Sequence, residues 1–319
     1  MKRRNFIGLL GGAAAWPFAA HAQTKVPRIG ILALGNLDPT QFLKEFREGL
    51  RELGYVEGQS IAFEIRSAAA DPKKLTLLAT ELVTLNVDVI AAFQTPAATA
   101  AKRATTDIPI VMAGVGDPVA TGLVASLARP GGNVTGMSGA TAEIGGKNLE
   151  LIRESLPSAR RVAVLVNTSD PFHKPFLENI LTSGRTLGLD IKPILIRGVE
   201  DFDVGLAEIE KWRAEAVVVQ PSLPHKRSAD AAIKRRLPAF APHADFSAAG
   251  GLMSYSADQS AIYRESASFV DKIIKGRKPA DLPVQLATKF LFIVNLKTAK
   301  ALGLTISPTL LARADTVIE

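Results

Sequence analysis

The chain has 319 residues, 47% of them hydrophobic and 22% charged, which is enough for two compact domains that each bury a core. It contains no cysteine, so disulfides, thiol catalysis and thiolate metal sites are excluded. The formal net charge is +7 and falls to +4 without the three basic residues of the N-terminal leader, and no basic stripe with interleaved aromatic residues points to a nucleic-acid partner.

The first 22 residues have the features of an export signal peptide. A basic head, a short apolar run and a small-residue cleavage site occupy positions 2–4, 6–20 and 20–22. Arg3 and Arg4 resemble a twin-arginine signal, although Sec export stays open. The apolar run is shorter than the roughly 20 residues of a membrane-spanning helix. We therefore expect a cleaved leader and a mature periplasmic protein that begins near residue 23.

From residue 26 onward, apolar runs alternate with amphipathic segments. The predicted strands of the first half are 26–34, 60–66, 87–93 and 108–112. After the first strand, Phe42, Phe46 and Leu50 recur every four residues, as on one face of a helix. This alternation predicts a parallel sheet with right-handed crossovers.

The segment 108–136 is predicted to combine a buried strand, a site-forming loop and the exit from the first domain. Its apolar start is followed by the loop 114–118, in which Asp117 is expected to cap a helix and Pro118 to open it. The breaker at 129–132 would end that helix and send the chain on a new course.

The alternation then restarts in the second half. The predicted strands are 161–166, 190–196, 216–219 and 237–241, and the predicted helices include 144–156, 202–212 and 226–236. This second series predicts a second α/β lobe.

Three stretches, 116–136, 250–290 and 295–319, closely resemble the ABC transporter substrate-binding family of the tryptophan/tyrosine type. The resemblance implies a periplasmic binding protein of type I fold. Such a protein has two doubly wound parallel-sheet α/β lobes, joined by a hinge of three crossovers, that close on an amino acid or a related carboxylate. An inner-membrane ABC permease is the partner that the family implies.

The resemblance also implies where the chain changes lobes, with a return near Tyr255 and a last crossing near Leu286. The N-terminal lobe would comprise 26–137 with 256–285, and the C-terminal lobe 138–255 with 286–319. Few, small-residue links between two rigid lobes would make a hinge.

Ligands of open parallel sheets bind beyond the carboxyl ends of strands, near helix N-termini. The ligand-binding candidates in such loops and in the second lobe are Asn36, Thr95, Pro96, Asp117, Asn167, Ser222, Asp245 and Tyr255. Amide and hydroxyl side chains suit a carboxylate or an amine, yet each can satisfy local backbone groups instead. Asp117 and Asp245 are candidate ammonium partners, Asp117 being equally a helix cap, and Tyr255 can stack on an aromatic ligand.

No catalytic residue, metal site or cofactor is predicted. The histidines at 21, 173, 225 and 243 show neither HxH nor HExxH spacing. No GxSxG elbow or P-loop is present, and no GxGxxG follows a strand. We therefore expect a monomeric solute-binding protein, with a periplasmic sensor that presents its ligand to a membrane receptor as the alternative and a secreted α/β enzyme third.

Overall fold

A computed structural model of the chain describes residues 26–35, 42–140, 142–197 and 199–319. The predictions for the leader and for Asn36 lie outside these ranges. The strands are β1 (Arg28–Ala33), β2 (Ala62–Ser67), β3 (Val89–Phe93), β4 (Ile110–Gly116), β5 (Val134–Ala140), β6 (Arg161–Asn167), β7 (Asp190–Ile196), β8 (Ala216–Val219), β9 (Ala239–Ala241), β10 (Met253–Ala257), β11 (Gln285–Leu286), β12 (Phe290–Asn295) and β13 (Thr316–Ile318).

The helices connect these strands and cover the sheets. They are α1 (Phe42–Glu52), α2 (Leu75–Thr84), α3 (Thr95–Ala104), α4 (Ala142–Ser155), α5 (His173–Thr186), α6 (Phe202–Lys211), α7 (His225–Lys234), α8 (Ala244–Ala248), α9 (Gln259–Ile274), α10 (Leu296–Leu302) and α11 (Pro308–Arg313). Among the described residues, no helix has the length and apolar character that crossing a membrane requires.

The strands form two sheets, one in each lobe. The first has six parallel strands in the order β11-β5-β4-β3-β1-β2. The second has seven in the order β13-β12-β10-β9-β8-β6-β7, parallel except where β12 runs against β10. The chain passes between the sheets after β5, after β10 and after β11. This architecture confirms the predicted two-lobe α/β fold, while the exact lobe boundaries stay a prediction.

Apolar side chains cover both faces of the first sheet because its central strands β1, β3 and β4 are parallel and interior. Ile29 and Ile31 of β1 pack with Phe46 of α1 and the buried side of α9. Leu32 of the same strand joins Leu82 and the helices α2 and α3 on the opposite face. Each lobe thus has its own core on either side of its sheet.

The structure corrects the prediction for residues 108–136. Strand β4 continues to Gly116, and residues 117–127 form turns in place of the expected helix. Gly122 has a left-handed φ of 72°. The turn at this glycine places the side chains of Leu123 and Val124 in the core on one face of the sheet. Val134 then starts β5, which pairs in parallel with β4, so the chain does not leave the first sheet at this point.

Asp117 caps the turn that replaces the predicted helix. Its Oδ1 accepts from the Ala120 amide at 2.9 Å, and its carbonyl accepts from the Thr121 amide at 3.0 Å. We expect Asp117→Ala to lower the free energy of unfolding by about 1 kcal/mol, the usual cost of losing such a cap. Urea melts measure this loss. Asp117→Asn keeps the acceptor oxygen and is the control; equal losses in both variants would contradict the capping role.

Candidate functional site

The main cavity has a volume of about 410 Å3 and lies between the two lobes. On the first-lobe side it is bounded by the carboxyl ends of β1 and β3 and by the first turn of α9. On the second-lobe side it is bounded by the starts of α7 and α8 and by β12. Both lobes therefore contribute to one space where ligands of open α/β sheets bind.

Two helix N-termini face the main cavity from the first lobe. Helix α3 follows Gln94, and α9 follows Asp258, whose carboxylate accepts from the Ala261 amide at 3.2 Å. The N-terminus of a helix carries a partial positive charge that attracts anions. Among the described residues that line the main cavity there is no lysine or arginine. Asp258 places its own carboxylate at the end of α9, whereas α3 has no side-chain cap, so the end of α3 is the source of positive potential for a ligand carboxylate.

Thr95 has a different role from the predicted helix cap. Helix α3 begins at Thr95 itself, because Gln94 takes the capping position with a φ of 70°. The Thr95 side chain is buried, and its hydroxyl accepts from the Gly116 amide at 2.9 Å. Thr95 thus joins the ends of β3 and β4, and together with Pro96 it lines a second, smaller cavity of about 40 Å3 beside the main one.

Asn167 satisfies local backbone groups, one of the two roles open from the sequence. Its side-chain Oδ1 accepts from the Ser169 backbone N–H at 3.0 Å. The backbone N–H of Asn167 donates to Gln220 Oε1 at 2.7 Å. Asn167 and Ser222 line a third cavity of about 280 Å3, on another flank of the space between the lobes. Ser222 also lines the second cavity.

A buried polar network positions Phe172, which sequence analysis missed. Asp170 accepts from the Phe172 amide and from Gln220 Nε2, each at 2.9 Å. Burial raises the pKa of Asp170, and the Phe172 amide and the Ser222 hydroxyl offset part of this effect. The network fixes the start of the loop that leads into α5.

The ring of Phe172 lies directly on Gly116 of the first lobe. A methyl group added at Gly116 would come within 2.5 Å of three ring carbons, which is closer than carbon atoms pack. A glycine at the end of β4 therefore permits the lobes to approach. Sequence alone could identify the glycine but not its partner, because the two residues lie in different lobes.

An ion pair also crosses between the lobes. Lys73 Nζ, from the turn before α2, lies 3.0 Å from Glu200 Oε1, which precedes α6. The contact raises the pKa of Lys73 and, after the backbone of Glu200 itself, contributes to lowering the pKa of Glu200. Both side chains are exposed, so salt screens their attraction.

Asp245 presents a carboxylate to the main cavity from α8. Its side chain is 64% exposed, and its Oδ2 lies 3.9 Å from Nδ1 of the buried His243. Burial, and secondarily the Asp245 charge, raise the pKa of Tyr263 on the first-lobe wall. Asp245 therefore lies where it can meet a ligand cation, and its contact with the ligand stays a prediction.

His225 and His243 form a pair that sequence analysis missed. Their ring centroids are 4.4 Å apart, and both rings line the main cavity. The two residues stand at the starts of α7 and α8, which follow the neighbouring parallel strands β8 and β9. Neighbouring parallel strands end at the same edge of a sheet. The order of the strands would therefore have predicted that the two histidines lie close together, whereas their spacing in the sequence does not.

Burial lowers the pKa of both histidines, and for His243 the nearby His225 lowers it further. A folded-state pKa below the usual 6.5 means that the unfolded chain binds protons first as the pH falls. The stability that the neutral rings contribute is therefore present above pH 6.5 and is lost as the pH falls through the folded-state pKa values.

We expect the free energy of unfolding to decrease as the pH falls from 7.5 to 5, and His225→Gln and His243→Gln to flatten this dependence. Urea melts at several pH values measure it. The raised pKa of Asp170 acts in the opposite direction, stabilising the fold as the pH falls, so wild type and variants are compared at each pH. A slope unchanged in both histidine variants would contradict the assignment.

Asp117 and Tyr255 are not brought into these three cavities. Neither is among the described residues that line them. Tyr255 stacks on Phe290 with centroids 5.9 Å apart, and Asn148 holds its backbone from α4. The aromatic residues at the main cavity are Phe93 and Tyr263, whose rings meet edge to face at 5.4 Å.

Two α/β lobes, three crossovers and a cavity between strand ends define the type I periplasmic binding protein fold, a class that binds small molecules. The sequence matches the family of ABC transporter substrate binding proteins over residues 39–318, and the chain belongs to this family. Its fold and family are thus those of substrate-binding proteins.

Relatives of this chain include proteins named for aromatic amino acids. It is 28% identical over 272 residues to the tyrosine-binding protein of Clostridioides difficile strain R20291. The aligned region covers 82% of this chain and 76% of that protein. A Streptococcus pneumoniae ABC domain in complex with L-Trp is 26% identical, covers 92% of this chain and 99% of that one, and superposes with a TM-score of 0.84.

A third relative was solved without a ligand. The ligand-free, open structure of a Clostridium difficile substrate-binding protein with adhesive properties is 25% identical. It covers 92% of this chain and 99% of that one, but its TM-score is only 0.65. At nearly equal identity and coverage, the present lobes resemble the L-Trp complex more closely than the open form.

Proposed function

We propose that this protein is the periplasmic solute-binding component of an ABC importer, and that it binds an amino acid, aromatic ones included, between its lobes. The observation that carries the proposal is the main cavity, to which one lobe supplies the Asp245 carboxylate and the other supplies the N-terminus of α3, which has no side-chain cap. An amino acid carries an ammonium group and a carboxylate on the same carbon atom, and these charges are complementary to the Asp245 carboxylate and to a helix N-terminus. The names of the tyrosine-binding and L-Trp-bound relatives support the same ligand class.

In this proposal the ligand contacts both lobes at once. Its ammonium group pairs with Asp245, and its carboxylate accepts from the first turn of α3. Phe93 and Tyr263 give its side chain an aromatic wall. The cavity volume of about 410 Å3 lies within the roughly 300–1,000 Å3 of small-molecule sites.

A ligand that contacts both lobes stabilises the closed arrangement in which they meet. The lobes would then rotate about the three crossovers as rigid bodies, and a membrane permease would read the closed form. The protein would act as an exported monomer that needs no nucleic acid or cofactor.

The test is a thermal-shift screen followed by calorimetry with L-tryptophan, L-tyrosine and L-phenylalanine. A ligand at 100 times its dissociation constant stabilises the folded state by about 2.7 kcal/mol. Tryptamine, which lacks the carboxylate, and indole-3-propionate, which lacks the ammonium group, are matched controls and should bind much more weakly. If no amino acid stabilises the protein, the proposal fails.

A further inference from the structure

We propose that His225, His243 and Asp245 form a binding site for one divalent transition-metal ion of the zinc, cobalt or nickel class in the wall of the main cavity. One ligating atom from each residue lies within 4.8 Å of the other two. Two imidazole nitrogens with one carboxylate oxygen form a ligand set that such ions bind. The inference reverses the expectation from sequence spacing, because the fold brings together histidines that lie far apart along the chain.

The environment of His225 is that of a metal ligand. Its Nε2 lies 2.9 Å from the carbonyl oxygen of Pro221, which can only accept, so Nε2 carries the proton and donates. The Nδ1 atom is left with its lone pair available. Ligating histidines usually donate their other ring N–H to a carbonyl or carboxylate in this way, which fixes both tautomer and orientation.

His243 supplies an independent observation that points to a missing ligand. Its side chain is only 7% exposed, and its Nδ1 is buried without a hydrogen-bond partner among the described residues. Buried polar atoms are rarely left unpaired, because desolvation costs about 1–3 kcal/mol when no bond replaces water. A metal ion at Nδ1, between the ring and the Asp245 carboxylate, would satisfy this atom.

The ligand atoms, which lie within 4.8 Å of one another, must approach by up to about 1.5 Å to bind one ion. Ligands about 2.0–2.1 Å from a tetrahedral zinc ion lie roughly 3.3 Å from one another. The Nδ1 of His243 and Oδ2 of Asp245 are 3.9 Å apart, and the largely exposed Asp245 side chain is free to rotate inward. The two histidine rings are already in contact at 4.4 Å between centroids.

The electrostatic surroundings also suit a cation. No lysine or arginine lines the main cavity within the described chain. Three protein ligands leave coordination positions open toward the cavity for water or solute.

The experiment is a calorimetric titration of the untagged mature protein with zinc chloride at pH 7.5, after dialysis against a chelator. We expect saturable binding of one ion per chain. Cobalt chloride is the second probe, since its visible absorption reports nitrogen and oxygen ligation directly. If wild-type protein gives neither a saturable heat nor a cobalt spectrum, the proposal is wrong, whatever the behaviour of any variant.

The variants His225→Ala, His243→Ala and Asp245→Asn should each weaken zinc binding by about tenfold or more. His173→Ala is the matched control, because His173 lies in the same lobe but binds the Asp170 carbonyl at 2.7 Å. Circular dichroism shows which variants fold. Zinc binding that is equally strong in a folded His243→Ala protein would overturn the assignment.

The titration contains no amino acid, so its result does not depend on the proposed solute. The two proposals share the Asp245 carboxylate, but each can fail alone. Amino-acid binding in chelator-treated buffer without zinc binding would reject the metal site only. Zinc binding without any amino-acid binding would reject the solute assignment only.

Discussion

Gly116→Ala is expected to weaken amino-acid binding by roughly 5- to 150-fold while leaving the stability of each lobe nearly unchanged. The added methyl group would lie 2.5 Å from the ring of Phe172, so either the ring or the whole lobe must move. Overpacking of this kind costs about 1–3 kcal/mol. Under the proposed closure, that cost falls on the closed arrangement, and it corresponds to roughly 5- to 150-fold in affinity.

Calorimetry with L-tryptophan and small-angle scattering at saturation measure the two consequences. We expect a weaker affinity and a larger radius of gyration than in wild type. Urea melts without ligand should coincide with wild type, because Gly116 has an ordinary φ that alanine adopts without strain.

Two controls test the mechanism of this effect. Gly132→Ala adds a methyl group that meets no atom within 4 Å, so its affinity should match wild type. Adding Phe172→Ala to Gly116→Ala removes the obstruction and should restore part of the lost closure. If Gly116→Ala binds and scatters as wild type does, the lobes do not close through this contact.

Asp245→Asn is expected to reduce amino-acid affinity by roughly 10- to 150-fold and to leave folding intact. The substitution keeps the shape of the side chain but removes the charge that pairs with the ligand's ammonium group. Hydrogen bonds to charged groups contribute about 1.5–3 kcal/mol. The side chain is 64% exposed, so the folded state loses little when the charge is removed.

Calorimetry in chelator-treated buffer isolates this effect from any bound metal. Asp203→Asn is the matched control, since Asp203 is an exposed carboxylate of the same lobe that lies 3.7 Å from Arg227, away from the cavity lining. The ligand provides a second control, because indole-3-propionate lacks the ammonium group and should lose nothing in the variant. Undiminished affinity for the amino acid would remove Asp245 from the site.

The two-lobe fold could be predicted from the sequence because its determinants are local. Apolar runs bounded by glycine and proline mark interior strands, and helical periodicity such as that of Phe46 and Leu50 marks the helices between them. Parallel sheets require this alternation, since every strand needs a crossover. The position of Asp245 beside a cleft also followed from its place after a predicted strand.

Helix prediction failed at residues 117–127 because burial outweighs local capping preference there. Asp117 followed by proline is a sound start for a helix, and Asp117 does cap the turn that forms. However, Leu123 and Val124 reach the core only when the chain turns at Gly122. The free energy gained by burying these two side chains depends on the sheet that covers them. A local sequence pattern contains no information about that sheet.

At the cleft, too, some features could be predicted from the sequence and others could not. Most strands and helices, and the glycine at position 116, could be predicted from spacing along the chain. The contacts of Phe172 with this glycine and of His225 with His243 could not, because each joins residues that are distant in sequence. Contacts between lobes and between strand ends depend on the order of strands in a sheet and on hinge geometry. Strand order and hinge geometry result from the packing of the two whole cores. No single segment of the sequence contains the information that determines this packing.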